Sequence, residues 1–237
     1  DGKDSAYRKQ ILIDYDAYVT AGNAIPLSDF FNRRNKAHSV IGYGKSAMFF
    51  HGLREIYGDD LFFAAIRDFI YDNRFRKASW HDIRRSFEKI TGKKLKSYFG
   101  YWLGSKDIPR LEVKNARLGV QQGQLRLNFE LLQKGDVYPL VIPVCLHTDT
   151  GKRIQFVQVK KSEDPVRLFM DEVPSKAVID ENFPIMRHLA PEEIPPVLSG
   201  IMGKQQVIAV VSSGQRSSYQ PIIDAFGIEN MRYVTPD

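Results

Sequence analysis

The sequence contains a single cysteine, Cys145, in 237 residues, which excludes an intramolecular disulfide and any metal site built from several cysteines. No apolar run approaches the roughly 20 residues needed to cross a bilayer. The chain also lacks His-Glu-x-x-His, the helical motif that places two imidazole zinc ligands one turn apart with a glutamate base between them. These absences exclude the usual hydrolytic zinc site within this chain, and nothing in the sequence indicates a cellular compartment.

Positive charge is unevenly distributed along the chain. The net charge is +6, and the whole surplus lies in residues 1–107, since residues 108–237 carry equal numbers of basic and acidic side chains. Phosphate contacts from a basic cluster can bind nucleic acid, but acidic residues are interleaved here and no known nucleic-acid-binding module accompanies them. A solvated helical face is therefore favoured, and nucleic acid is a disfavoured partner. The cluster consists of Arg74, Arg76, Lys77, Arg84, Arg85, Lys89, Lys93, Lys94 and Lys96.

The first 107 residues have the three- and four-residue apolar spacing of amphipathic helices. Gly58 and Gly92 are expected to end two of them, and Ser79 is expected to cap the helix that ends at Gly92. Short loops between the helices favour antiparallel neighbours in one helical subdomain, 1–107. The predicted helices are one ending near residue 19 and those at 40–57, 59–70, 80–91 and 95–103.

The periodicity changes near Pro109, after which apolar and polar residues alternate as they do in half-buried strands. Because short turns without helices separate these strands, we predict an antiparallel β-sandwich over residues 108–183. The predicted strands are 111–120, 124–133, 138–148, 153–160, 165–170 and 175–180.

Residues 184–237 are predicted to form a linker followed by a partial β-α-β unit. Four prolines mark the linker, which runs to about residue 204. Gln206–Val211 is a continuous apolar run, typical of a strand buried on both faces, and a helix at 217–226 and a strand at Met231–Val234 are expected to follow. The predicted fold class is mixed α and β: an α-helical subdomain, an antiparallel β-sandwich and a partial α/β unit.

Tyr43 is the residue that points most directly to chemistry. A tyrosine hydroxyl can donate a hydrogen bond to a developing oxyanion, and the flanking Gly42 and Gly44 would let backbone and substrate approach closely. The alternative is an ordinary amphipathic core tyrosine with a satisfied hydroxyl. The local pattern by itself favours that alternative.

The segment around Tyr43 carries a family resemblance. Residues 39–55 read Ser-Val-Ile-Gly-Tyr-Gly-Lys-Ser-Ala-Met-Phe-Phe-His-Gly-Leu-Arg-Glu. This segment resembles the region around the catalytic tyrosine of zinc aminopeptidases of the M1 (gluzincin) family. Residues 58–69, 78–92 and 95–109 resemble the helices that follow it in that family, so the resemblance covers most of residues 1–183. Ser46, where glycine is common, departs mildly from the family pattern.

This resemblance implies a function for the chain as part of a larger enzyme. Tyr43 would stabilise the oxyanion during hydrolysis, and Gly42, Gly44 and Lys45 would lie at the substrate cleft. The zinc ligands would lie upstream, so the chain would be the C-terminal portion of an aminopeptidase that acts on peptide N-termini. We expect no cofactor in this chain, zinc in the full-length parent, and the upstream catalytic segment and a peptide as partners. The chain alone should be inactive.

Other interpretations stay open. His51 and Glu55 lie four residues apart on one helical face and could hold a metal if a third ligand arrived, although a core or boundary histidine is favoured. A non-catalytic scaffold or protein-interaction module, that is, a pseudoenzyme, is the main functional alternative. An anion- or nucleic-acid-binding domain is the less favoured one.

Overall fold

The structure is a computed structural model that describes residues 2–121, 123–194, 206–212, 214–225 and 231–236. Its fold is mixed α and β, as the sequence predicts. The helical elements are α1 (Lys3–Tyr18), a 3₁₀ turn (Leu27–Asp29), α2 (Lys36–Ser39), a π-helix (Val40–Lys45), α3 (Ser46–Asp72), α4 (Trp80–Thr91) and α5 (Lys96–Gly104). The strands that follow are β1 (Arg110–Gln121), β2 (Gln124–Lys134), β3 (Leu140–Thr148), β4 (Gly151–Val159), β5 (Glu163–Met170) and β6 (Lys176–Ile179).

Local sequence signals set several helix ends. Gly58 interrupts α3 with φ 76° and ψ 169°, a conformation that glycine adopts without steric cost. At the start of α4, the Asp82 carboxylate accepts hydrogen bonds from the Ser79 backbone N–H at 3.0 Å and from its hydroxyl at 2.7 Å. Gly92 ends α4 in the left-handed conformation. The predicted breaks at Gly58 and Gly92 are therefore confirmed. In the described part of the chain, no helix is long and apolar enough to cross a membrane.

The predicted helix 40–57 begins differently from the expectation. Residues Val40–Lys45 form a π-helix between α2 and α3, so the α-helical part begins only at Ser46. Apolar periodicity does not distinguish an α-turn from a π-turn, because both place apolar residues on one face over so short a stretch.

The strands form two antiparallel three-stranded sheets, ordered β1-β2-β5 and β4-β3-β6. This pairing confirms the antiparallel strands predicted from the alternation of apolar and polar residues. Both sheets contribute apolar side chains to one core. The buried apolar strand residues of this core are Phe129, Leu131, Leu140, Ile142, Val144, Leu146, Val157, Val159, Val166, Leu168 and Met170.

The helical residues and the sheets share that core. Trp102 of α5 packs against Tyr138 before β3, with ring centroids 5.3 Å apart, and both are buried. The segment 184–194, which its prolines assigned to a linker, also buries Ile185, Met186 and Leu189 in the core. Proline prevents regular hydrogen-bonded structure there but not apolar burial. Residues 195–205 of the predicted linker lie outside the described residues.

Beyond that segment, β7 (Val207–Val210), α6 (Arg216–Ala225) and β8 (Met231–Val234) have the predicted β-α-β order, with β7 and β8 parallel. The expectation that β7 is buried on both faces is wrong, because Ile208 and Val210 are largely exposed. In the described part of this unit, β7 pairs with β8 alone, and every second side chain of β7 is exposed to water.

Candidate functional site

Tyr43 lies at the edge of a groove of about 180 Å³ between α1 and the π-helix. Its side chain is 61% exposed, which removes the alternative of a core tyrosine. Among the described residues, no side chain or backbone group hydrogen-bonds to its hydroxyl, and Tyr43 is one of the residues that line the groove. The residues that line the groove are Tyr7, Gln10, Ile11, Asp14, Lys36, Ser39, Val40, Tyr43 and Gly44.

Gly42 has a packing role beneath this tyrosine. It is buried, and a Cβ at this position would lie 2.2 Å from the Phe30 ring, far inside contact distance. The same ring meets Tyr43 edge to face, with centroids 5.7 Å apart. Only glycine at position 42 lets Phe30 sit this close, so Phe30 supports one side of the Tyr43 ring. Gly44 lines the groove and Gly42 does not; that these glycines lie at a substrate cleft stays a prediction.

Lys45, the fourth sequence-based candidate, does not line the groove. Its side chain is fully buried, and its Nζ donates hydrogen bonds to the backbone carbonyls of Ser105 at 2.8 Å and Asp107 at 3.2 Å. Burial lowers the pKa of the Lys45 ammonium to about 8, although the charge of Asp107 opposes the shift. Lys45 therefore ties the π-helix to the loop after α5, and it does not present a charge to a ligand in the groove.

The groove carries one acidic and one basic side chain near Tyr43. Asp14 accepts a hydrogen bond from Gln10 Nε2 at 2.7 Å and lies 3.5 Å from Lys36 Nζ. The Lys36 ammonium also lies over the Tyr18 ring, 5.1 Å from its centroid. The residues that line the groove thus include an acidic and a basic side chain that pair with each other.

The histidines do not assemble a metal site among the described residues. No group of three His, Cys, Asp or Glu side chains in that part of the chain is placed to hold a metal ion. His51 Nε2 and Glu55 Oε1 are 3.6 Å apart, and His51 is half-buried, so burial lowers the pKa of its imidazole. The residues that this structure describes therefore offer no ligand set for a zinc ion.

No pattern in the sequence indicates that His188 joins three distant parts of the chain. His188 Nδ1 meets the Asp16 carboxylate of α1, and its Nε2 lies 2.8 Å from Asp107 Oδ1. The Leu189 N–H donates to Asp16 as well, at 3.0 Å. Because these partners are 81 and 172 residues away from His188 in sequence, no spacing rule could have found the cluster.

This cluster makes stability depend on pH. Burial opposes ionisation of His188, but hydrogen bonds and charges from Asp16 and Asp107 outweigh burial and raise the pKa of the imidazole. A raised folded-state pKa adds stability that is fully present below the unfolded value of about 6.5 and is lost as pH rises through the folded value. We expect His188→Gln to lower the free energy of unfolding by about 1–3 kcal/mol at pH 6, and by less at pH 9.

Urea denaturation at a series of pH values measures this difference, with tryptophan fluorescence as the signal. His81→Gln is the matched control, since His81 is exposed at the start of α4 and its replacement should leave stability nearly unchanged at every pH. A loss for His188→Gln that stays constant from pH 6 to pH 9 would contradict the assigned charge state.

A second buried cluster fixes the segment after β6. Asp180 is fully buried and accepts a hydrogen bond from Arg187 Nε at 2.7 Å and from the Ile185 N–H at 3.1 Å. The two terminal nitrogens of Arg187 donate to the two carboxylate oxygens of Glu193, each at 2.7 Å, a bidentate geometry specific to arginine. These contacts and the His188 cluster hold residues 180–193 against the helices and sheets.

Three of the nine residues of the basic cluster, all on α4, have acidic partners among the described residues. Lys89 Nζ lies 2.6 Å from Asp68 and 3.8 Å from Asp72. Arg84 and Arg85 face Glu88 and Asp82 respectively, each at 3.8 Å. Such neutralised pairs are typical of a solvated helical face, although the exclusion of nucleic acid as a partner stays a prediction.

A larger apolar groove, of about 370 Å³, lies where α3 and α5 meet β3 and β4. Among the described residues that line it, Glu55 is the only charged one, beside mainly aromatic, aliphatic and proline side chains. These residues include no serine, threonine, cysteine, histidine or lysine that could act with Glu55, so the Tyr43 groove is the stronger candidate for chemistry.

Comparisons with known proteins bear on the fold. No family model and no curated protein matches the chain. Among solved structures, aminopeptidase A of Legionella pneumophila, determined in complex with aspartic acid, matches with a TM-score of 0.53 and 18% sequence identity. The match covers 84% of this chain but only 23% of that protein, and at this identity it shows a likeness of fold alone. The chain is therefore similar in fold to part of an aminopeptidase.

Proposed function

We propose that this chain is the C-terminal portion of an M1-like zinc aminopeptidase, in which Tyr43 stabilises the oxyanion formed at the scissile peptide bond. The observation that carries the proposal is the exposed Tyr43 side chain at the groove between α1 and the π-helix, whose hydroxyl has no intramolecular acceptor among the described residues. The likeness of fold to part of an aminopeptidase supports the proposal.

The chemistry asked of Tyr43 is transition-state stabilisation. Attack on a peptide carbonyl places negative charge on its oxygen, and a fixed hydroxyl donor near that oxygen binds the transition state more tightly than the substrate. Phe30 and the π-helix hold the ring without using the hydroxyl. The zinc, its ligands and the residues that bind the substrate amine would belong to other parts of a longer gene product.

The decisive measurement compares the full gene product with this chain alone. Zinc content by mass spectrometry and hydrolysis of aminoacyl-coumarin amides are measured for both. We expect about one zinc per molecule and chelator-sensitive turnover for the full gene product, and neither for this chain. A full gene product that coordinates no divalent metal and releases no coumarin would reject the peptidase and favour the scaffold.

A further inference from the structure

We propose that Lys45 is a positioning residue that holds the Tyr43 hydroxyl at the groove by anchoring the π-helix to the loop after α5. The inference rests on the proposed function of Tyr43. It gives Lys45 a role different from that of a cleft residue, because Lys45 contacts neither the groove nor any ligand in it.

The anchor is a set of three buried or half-buried donors on three successive carbonyls. Lys45 Nζ binds the carbonyls of Ser105 and Asp107. The Tyr15 hydroxyl donates to the Lys106 carbonyl at 3.0 Å, and the Tyr138 hydroxyl lies 2.7 Å from the Asp107 carbonyl. Side chains from α1, the π-helix and the start of β3 therefore converge on one loop, which becomes a fixed point for all three.

Tyr43 lies two residues before Lys45, on the π-helix that the anchor holds. A π-helix is held by hydrogen bonds in a rarely used register, and its persistence requires support from the surroundings. Phe30 packs on the Gly42 side, and Lys45 ties the opposite end of the turn to the loop. Both supports act on the backbone and ring, so the hydroxyl stays available.

The choice of lysine at this buried position is costly for stability. An apolar side chain would pack without the desolvation penalty of an ammonium group, which here lowers the pKa of Lys45 to about 8. It would also leave the Ser105 carbonyl without the Lys45 donor and leave the Asp107 carbonyl with the Tyr138 hydroxyl alone. A buried ammonium group that reaches both carbonyls allows one arrangement of the π-helix relative to the loop after α5. An apolar side chain at position 45 would allow several.

The test compares Lys45→Met with Asn73→Leu. Asn73 is a matched control because it is a buried polar residue at the end of α3 whose amide donates to a backbone carbonyl, that of Phe69 at 2.7 Å. Among the described residues its other hydrogen bonds are to Arg76, away from the π-helix and from the loop after α5. Hydrogen–deuterium exchange of residues 40–46 in this chain, read by mass spectrometry, reports on the turn. Steady-state kinetics of the full gene product report on catalysis.

We expect Lys45→Met to speed exchange in residues 40–46 by about tenfold or more, and to lower kcat by about ten- to a hundredfold with a smaller change in KM. Asn73→Leu should leave both unchanged while lowering overall stability. If Lys45→Met does not fold, Lys45→Gln, which keeps a shorter donor, should show a smaller change in the same direction.

Unchanged exchange and unchanged kcat in the folded lysine variant would overturn the inference. Equal effects of the control variant and the Lys45 variant would also overturn it, because Lys45 would then contribute only to overall stability and not to the position of Tyr43. A wild-type gene product without peptidase activity would instead reject the proposed function, and the exchange data would still decide whether Lys45 holds the turn.

Discussion

Replacing Tyr43 by phenylalanine in the full gene product is expected to lower kcat by about 10²–10³-fold, which corresponds to about 3–4 kcal/mol of lost transition-state stabilisation. The change removes one oxygen and keeps the ring that packs against Phe30. KM should change little, because the hydroxyl acts on charge that develops only in the transition state.

The folded structure should be insensitive to this substitution. The Tyr43 side chain is exposed and its hydroxyl has no partner among the described residues, so the free energy of unfolding should stay within about 0.5 kcal/mol of wild type. Tyr71→Phe is the matched control, since Tyr71 is similarly exposed but lies on α3 away from the groove. Its kcat should equal that of wild type.

Steady-state kinetics over a range of substrate concentrations separate kcat from KM for each variant. Equal turnover of Tyr43→Phe and wild type would remove the assigned role. If Tyr43→Phe lowers both turnover and the free energy of unfolding, the loss of turnover would be explained by a disturbed π-helix and not by the missing hydroxyl.

The largest effect on stability is expected for Arg187→Met. Arg187 and Asp180 are both buried, and the substitution leaves the Asp180 carboxylate without its cation and Glu193 without its bidentate partner. Breaking a buried pair from one side costs about 3–5 kcal/mol. For a folded unit of this size we expect a fall in Tm on the order of 10 °C.

Arg153→Met is the control for this prediction. Arg153 contacts Asp171 in an exposed pair on β4 and the loop after β5, and exposed pairs contribute at most about 1 kcal/mol. Urea and thermal denaturation of both variants, followed by circular dichroism, measure the two losses. Equal losses for the buried and the exposed arginine would contradict the assigned role of the Asp180–Arg187–Glu193 cluster.

The loss for Arg187→Met should also depend on pH. Burial raises the pKa of Asp180 to about 7, and Arg187 opposes that rise. A carboxyl group with a raised folded pKa binds its proton more tightly in the native state, so stability falls as pH rises from about 4 toward the folded value. Without Arg187 this pKa rises further, and the difference from wild type should therefore grow between pH 5 and pH 8.

Local structure followed the sequence closely wherever one short-range rule applied. The Ser79–Asp82 pair and Gly92 bound α4, Gly58 breaks α3, and the alternation after Pro109 gives antiparallel strands. The π-helix at Val40–Lys45 departed from this pattern. It depends on Phe30 packing against Gly42 and on Lys45 reaching the loop after α5, which are contacts between separate elements.

The candidate site divides in the same way. The flanking glycines and the resemblance of residues 39–55 to the M1 family indicated Tyr43 as a candidate residue. The same resemblance implied a substrate cleft near it, but not which elements form the groove beside Tyr43. Lys45 was expected at the cleft and lies in the interior instead. A lysine is charged and usually exposed, so only its position relative to the Ser105 and Asp107 carbonyls reveals an anchor.

The sequence by itself determined which stretches are helix and which are strand, because periodicity, glycine stops and caps act over a few residues. It also determined that no complete zinc motif lies within this chain. Only the tertiary structure decided that Tyr43 is exposed, that Lys45 is an interior anchor, and that the proline-bearing segment 184–194 packs on the core. These outcomes depend on contacts between residues that lie 60 to more than 170 positions apart in the sequence. The free energy of such a contact depends on how close the two residues come in the fold and on how deeply they are buried. No local sequence pattern encodes either quantity.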